Sequence, residues 1–172
     1  MAIKDFLKKN LLLVDGAMGT QIQGRNPGAQ AWGEYEGCNE WLNLTAPEII
    51  RDIHAAYFAA GSDAVETNSF GSSPITLGEY NLSDKAREIS RAAAQIARGA
   101  ADAAAALDGR PRFVLGSVGP GTRLATLGQI SFDDLYGGYQ EQMGGLLEGG
   151  ADGILIETCQ DLLQIKAAVA AA

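Results

Sequence analysis

Cysteine and histidine are scarce in this sequence: Cys38, Cys159 and His54 are the whole supply in 172 residues. Two cysteines so far apart exclude the dense disulfide framework of a small secreted domain and fit a reduced, cytoplasmic setting. Without a histidine pattern beside them they also make a poor zinc motif, so both are expected to be buried or free thiols. His54 falls mid-helix beside an apolar stripe, where a packing or surface role suits it, and no Ser-His-Asp site can be built from it. Positive charge is short as well: 13 Lys and Arg face 21 Asp and Glu, for a formal charge of -8. Such a field repels phosphate backbones and anionic lipid surfaces, which argues against nucleic-acid and membrane partners. No run approaches the roughly 20 apolar residues that span a bilayer. The opening MAIKDFLKKN sets Asp5, Lys8 and Lys9 among its few apolar residues and lacks the apolar stretch of a signal peptide. No linker or low-complexity segment marks a second domain.

What the sequence does contain is 47% hydrophobic and 20% charged residues, enough to bury one sizeable core. Four short apolar runs recur, at Leu11 to Val14, Ala64 to Val65 running into Glu66, Phe113 to Leu115, and Ile154 to Ile156. Runs without alternation predict strands covered on both faces, as in parallel sheets. Helical patterns separate them. Ile49, Ile50, Ile53, Tyr57 and Ala60 recur at helical spacing over 46–60, with Thr45 and Glu48 predicted to form a capping box around Pro47. Ser83 is expected to cap a helix whose stripe is Ala86, Ile89, Ala93, Ile96 and Ala100, ending near Asp108-Gly109. A third helix opens at Ser131, carries Phe132, Leu135, Tyr136, Tyr139, Met143, Leu146 and Leu147 as its core stripe, and stops at Gly149-Gly150. Thr158 and Asp161 offer a cap to a fourth, with Leu162, Leu163, Ile165 and Val169. Four β/α units imply an α/β fold with a parallel sheet and right-handed crossovers, either open and doubly wound or closed as a barrel. A closed eight-stranded barrel takes about 250 residues, so 172 residues would supply its first half. Residues 21–43 form a long excursion after the first strand. Trp32, Tyr35 and Trp41 within it suit anchoring of that excursion slightly better than closing over a pocket.

In either parallel architecture ligands sit at the carboxyl ends of the strands. The residues there are Asp15-Gly16-Ala17-Met18-Gly19-Thr20, Glu66-Thr67-Asn68-Ser69-Phe70, Gly116-Ser117-Val118-Gly119-Pro120 and Glu157-Thr158. Asp15 and Glu157, from the first and fourth strands, can accept hydrogen bonds from an ammonium group in a partly dry site. Backbone amides after Asp15, beside small glycines, can bind a carboxylate as a nest binds an anion. Together these point to an amino-acid-like ligand, although the same carboxylates also suit capping of loops and helices. The glycines of 116–121 lack the lysine of a phosphate-binding loop and the spacing of a dinucleotide fingerprint, so Gly116 and Gly119 are expected to shape a tight rim.

Four blocks in order, LLLVDGAMGTQIQ, CNEWLNLTAPEIIRDIHAAYFAAGSDAVETNSFG, LGSVGPGTR and EGGADGILIETCQD, cover nearly the whole chain. They resemble the homocysteine S-methyltransferase family, and within it the amino-terminal domain of cobalamin-dependent methionine synthases. The resemblance implies a TIM-type (β/α)8 barrel, with residues 1–172 as its amino-terminal half, about four β/α units, truncated before the barrel closes. It implies homocysteine as substrate, its amino group held by carboxylates matching Asp15 and Glu157 and its carboxylate by the backbone at Gly16. Thr67 matches a position lining the same pocket, with Asn68 and Ser117 near it in less defined roles. Glu66 matches a position to which no ligand contact is assigned, and no residue is given a catalytic or metal-binding role. The family's zinc is held by three cysteines that have no match within residues 1–172, and Cys159 aligns with none of them. That zinc would favour the substrate thiolate, which attacks an activated methyl group. The implied donor is methylcobalamin on a separate domain, replenished from methyltetrahydrofolate, so the expected partners are the downstream barrel half and the cobalamin and folate domains. Two alternatives stay open: a cobalamin-independent enzyme using betaine or S-methylmethionine, and a non-catalytic amino-acid-binding fragment.

Overall fold

The computed structural model describes residues 2–172 and shows an α/β fold on a parallel sheet. Its strands are β1 (Ala64–Glu66), β2 (Phe113–Val118) and β3 (Gly153–Ile156), side by side in chain order. Val65 sits opposite Val114, and Ser117 opposite Leu155. The helices are α1 (Ile3–Leu7), α2 (Met18–Arg25), α3 (Ala29–Trp32), α4 (Leu42–Thr45), α5 (Pro47–Ala60), α6 (Pro74–Leu77), α7 (Ala86–Asp108), α8 (Phe132–Glu148) and α9 (Leu162–Ala171). Among the described residues none is long and apolar enough to cross a membrane.

The first apolar run departs from expectation. Leu11 to Val14 does not form a strand; it makes a single parallel bridge, Val14 to Ala64. The segment still follows the free edge of β1, with the Asp63 and Ala64 amides donating to the Leu13 carbonyl at 2.7 and 3.1 Å and the Asp15 amide to the Ala64 carbonyl at 3.1 Å. Nothing covers its outer side: Leu11 is 95% and Leu13 59% exposed. The Leu13 amide donates to the Asp63 side chain at 3.1 Å instead of to a strand carbonyl, which interrupts the ladder.

Helix starts test the capping expectations one by one. Ser131 accepts from the Asp134 amide at 3.0 Å and Asp161 from the Leu163 amide at 2.8 Å, while Thr158 stays outside that cap. The box at Thr45 and Glu48 is absent, because the Thr45 hydroxyl donates to the Ala31 and Trp41 carbonyls and α5 starts with Pro47 in its first turn. Proline there needs no donor partner and fixes the helical φ, so the side-chain cap is dispensable. Ser83 likewise donates to the Pro74 carbonyl and lies in a 3-10 turn before α7.

Packing follows the helical stripes. Leu135, Tyr139, Met143 and Leu146 of α8 bury against Val118, Ala94 and the α9 residues Ala167 and Ala168. Phe132 and Leu147, assigned to the same stripe, are 39% and 53% exposed and lie off it. Ala97, Ala100 and Ala101 of α7 close over Val65, Val114 and Phe58. The α7 and α8 backbones approach so closely that a Cβ on Gly145 would come within 2.5 Å of the Arg87 carbonyl oxygen. Only glycine allows that approach, which brings α8 down onto the sheet.

His54 in α5 is fully buried, and neither ring nitrogen has a hydrogen-bond partner. Burial pushes its pKa down to about 4. The unfolded chain, titrating near 6.5, therefore takes up the proton first. The stabilisation from burying neutral imidazole is complete above about pH 6.5 and declines as pH falls toward 4, by about 1.4 kcal/mol per unit. Urea unfolding of wild type and His54→Leu across pH 7 to 4.5 is expected to show this extra acid loss in wild type alone; parallel profiles would exclude it. The outer edges of the Leu11 to Val14 segment and of β3 have no partner strand among the described residues. Unpaired edges beside exposed leucines favour self-association. The isolated chain is thus expected to sediment as oligomers or aggregates, and a monodisperse, cooperatively unfolding monomer would count against this.

Candidate functional site

All strands point the same way, so their polar continuations meet at one rim. They enclose a cavity of about 390 Å³ lined by Gly16, Thr67, Asn68, Ser117 and Glu157. Asp15 lies just behind Gly16, where its Oδ1 accepts from the Glu66 amide at 3.0 Å. Burial pushes the Asp15 carboxyl up to about 7, and the nearby charges of Glu66 and Glu157 add to the rise. Five of the six residues singled out from the sequence thus share a wall, and the sixth sits within electrostatic reach of Glu157.

The side chains on this wall differ in what they leave free. Glu157 accepts from the Ser117 hydroxyl at 2.5 Å, which orients one carboxylate oxygen. The Thr67 hydroxyl is within 2.6 Å of the Ser69 hydroxyl and accepts from the Ser117 amide at 3.0 Å, so it ties β1 to β2. Asn68 donates to the Asn39 carbonyl at 2.8 Å and to Asn43 Oδ1 at 3.0 Å, while its own carbonyl accepts from Asn43 Nδ2 at 2.8 Å. Thr67 and Asn68 therefore shape the cavity, with the Thr67 hydroxyl and the Asn68 side-chain Nδ2 engaged with protein. Beneath them Gln142 of α8 donates to the Ser69 carbonyl at 2.7 Å.

Among the described residues, no lysine, arginine or histidine lines the cavity. Its charge comes from Glu66, Glu157 and Glu40, with Asp15 behind, which favours a cationic group. Ala17, Met18 and Gly19 at the start of α2 line the same opening, and that helix start has no side-chain cap. Uncapped helix starts bind anions. An acidic wall and an anion-binding helix start at one cavity suit a zwitterion.

Glu40 and Asn39 on the wall escaped the sequence reading, while Met18 and Phe70 were named at the strand ends without a role. Glu40 comes from the long excursion, accepts from the Gly71 amide at 2.6 Å and has its carboxyl pKa raised by burial. Asn39, Met18 and Phe70 also line the space. Phe70 carries a signal in hindsight: a Cβ on Gly119 would meet its ring at 2.8 Å, so Gly119 makes room for it at the rim. Tyr35 and Trp41 stack edge to face at 4.6 Å and pack beside Cys38, Leu77 and Ile89, while Trp32 packs against Ile22 and Leu42. All three anchor the excursion and none lines the cavity. Cys38 is buried and Cys159 half-buried, both as free thiols.

A family model described as homocysteine S-methyltransferase matches residues 12–172. Methionine synthase from Mycobacterium tuberculosis is 49% identical over 165 residues, which is 96% of this chain and 14% of that protein. Methionine synthase from Mycobacterium leprae is 48% identical over 163 residues, 95% of this chain and 13% of that protein. The chain thus spans about one seventh of the length of these relatives. The metallated form of the homocysteine methyltransferase MmuM from Escherichia coli superposes with a TM-score of 0.79 at 25% identity, covering 96% of this chain and 60% of that one. Its oxidized form, at 24% identity and a TM-score of 0.77, shows the same fold.

The Asn68 amide holds the excursion against the rim, so its loss should be felt as stability. Asn68→Ala leaves the Asn43 Oδ1 acceptor without this donor and is expected to cost about 1–3 kcal/mol. Chemical denaturation measures it, and an unchanged midpoint would remove Asn68 from this bracing role.

Proposed function

The chain belongs to the homocysteine S-methyltransferase family, and we propose that it forms the homocysteine-binding part of a methionine synthase, supplying about the first four β/α units of an eight-stranded barrel. The observation that carries this reading is the cavity lined by Gly16, Glu66 and Glu157, with Asp15 bonded to the Glu66 amide behind it, beside the uncapped start of α2. In this reading the substrate ammonium group is held by the carboxylates of Glu157, steadied by the Ser117 hydroxyl, and of Asp15 from behind Gly16. The substrate carboxylate takes the amide donors from Gly16 to the start of α2. Charge-assisted bonds at both ends fix the amino acid's orientation and leave its side chain to reach the reacting centre.

Zinc would supply activation of the thiol by favouring the thiolate. The described residues do not fit it: no group of three or more His, Cys, Asp or Glu is placed to hold a metal ion. Cys38 and Cys159 have thiol pKa values raised chiefly by burial, that of Cys38 to about 11, which disfavours the thiolate a metal needs. The chain's own contribution is therefore binding and orientation of the amino acid. Higher identity to proteins named methionine synthase favours methylcobalamin as methyl donor over betaine or S-methylmethionine. Cobalamin and folate domains are then the partners.

Calorimetric titration of L-homocysteine into the purified chain, with and without zinc, tests this reading. Saturable binding is expected, weakened about 10- to 100-fold by Asp15→Asn or Glu157→Gln, the loss of a hydrogen bond to a charged group. Absence of binding, or unchanged affinity in both variants, would remove the pocket. Zinc-dependent turnover by this chain alone would overturn the placement of the metal ligands.

A further inference from the structure

Glu40 reaches the cavity wall from the long excursion and has no part in the anchoring scheme above. A half-buried carboxylate costs desolvation, yet attachment of the excursion does not depend on it. Asn43 and Asn68 brace that segment through hydrogen bonds of 2.8 to 3.0 Å, and Tyr35 and Trp41 pack it against Leu77 and Ile89. What Glu40 does hold is the Gly71 amide, at 2.6 Å from its Oε1. The carbonyl of the same peptide unit, that of Phe70, accepts from the Gly119 amide at 3.1 Å. The plane between Phe70 and Gly71 is thus fixed at both of its polar atoms, from the loop after β2 and from the excursion. One residue earlier the Ser69 hydroxyl donates to the Ser117 carbonyl at 2.8 Å. With the chain held on either side of it, Phe70 sets its ring over Gly119, where a Cβ would meet the ring at 2.8 Å. Among the described residues, Phe70 and Met18 alone bring large apolar side chains to the cavity.

We infer that Glu40 is a positioning residue for side-chain specificity: by holding the Gly71 amide it keeps the Phe70 ring on the wall, where the ring meets the side chain of a bound amino acid. This rests on the amino-acid-binding reading of the same site. Once the ammonium and carboxylate ends are anchored, the side chain is the part of the ligand left to be recognised. A chain of two methylenes and a sulfur gains apolar and sulfur-to-ring contact with Phe70, whereas a shorter chain leaves the ring without a partner. Selectivity for the longer chain therefore depends on where the ring stands, and that depends on a carboxylate which need not touch the chain. Without Glu40 the Phe70–Gly71 peptide can turn about its remaining bond to Gly119, and the ring loses its fixed place.

L-Methionine and L-2-aminobutyrate, which share both charged ends and differ only in side-chain length, are the probes. The ratio of their dissociation constants reads side-chain selectivity, and a general loss of affinity or of stability cancels from it. Calorimetric titration of the chain is expected to show the wild-type preference for L-methionine falling about 10-fold in Glu40→Ala, the size of discrimination an apolar contact of this kind supplies. Glu40→Gln, whose amide oxygen can still accept from Gly71, is expected to weaken both ligands alike and to keep the ratio. In a Phe70→Ala background, Glu40→Ala is expected to lower the ratio no further, because both changes remove the same contact. A wild-type ratio in Glu40→Ala, or a further fall in the double variant, would overturn the inference while leaving the amino-acid site intact. Failure of wild type to bind L-methionine or L-homocysteine would instead remove the site itself. Should Glu40→Ala not fold, Gly71→Ala decides the matter, since its Cβ would come within 2.9 Å of Glu40 Oε1 and disturb the same bond. A fallen ratio is expected there too, and an unchanged one overturns the role of Glu40.

Discussion

Parallel pairing of β1 and β3 with β2 sends Glu66 and Glu157 out of the same end of the sheet. The Asp15 amide, bonded to the Ala64 carbonyl, brings a third carboxyl group to that end. An antiparallel neighbour would have carried one of these groups to the opposite face of the fold. The concentration of negative charge at one rim is thus a consequence of strand direction, and the chemistry of the cavity depends on it.

Gathering carboxyl groups has a cost that the surrounding structure offsets locally. Asp15 receives the Glu66 amide, Glu157 the Ser117 hydroxyl and Glu40 the Gly71 amide. These bonds place the acids without neutralising them, and the carboxyl pKa values of Asp15, Glu66 and Glu40 stay raised by burial. A site so arranged is preorganised for a cation. The start of α2, which has no side-chain cap, lines the same opening.

Behind the wall, scaffold residues take up the polar atoms that would otherwise compete with a ligand. Thr67, Ser69 and Gln142 link β1, β2 and α8 through hydrogen bonds of 2.6 to 3.0 Å, and Asn68 with Asn43 fastens the excursion. Gly145 and Gly119 permit the close approaches of α7 to α8 and of Phe70 to the rim. Each lies away from the anchoring carboxylates yet sets where they stand.

The helices between strands, three of the four apolar runs as parallel strands, and the clustering of Gly16, Thr67, Asn68, Ser117 and Glu157 were legible in the sequence. They rest on local periodicity and on the rule that strand ends carry function. Family blocks identified the lineage for the same reason, since a run of residues keeps its order whatever surrounds it. Tertiary structure alone decided that Leu11 to Val14 makes one bridge, because the Asp63 side chain, 50 positions away, takes the Leu13 amide. It also decided that Thr45 and Ser83 turn away from capping, since carbonyls distant in sequence compete for their hydroxyls. Glu40 on the wall belongs to the same class: its contact with Gly71 across 31 positions leaves no periodic trace, and only folding brings such groups together.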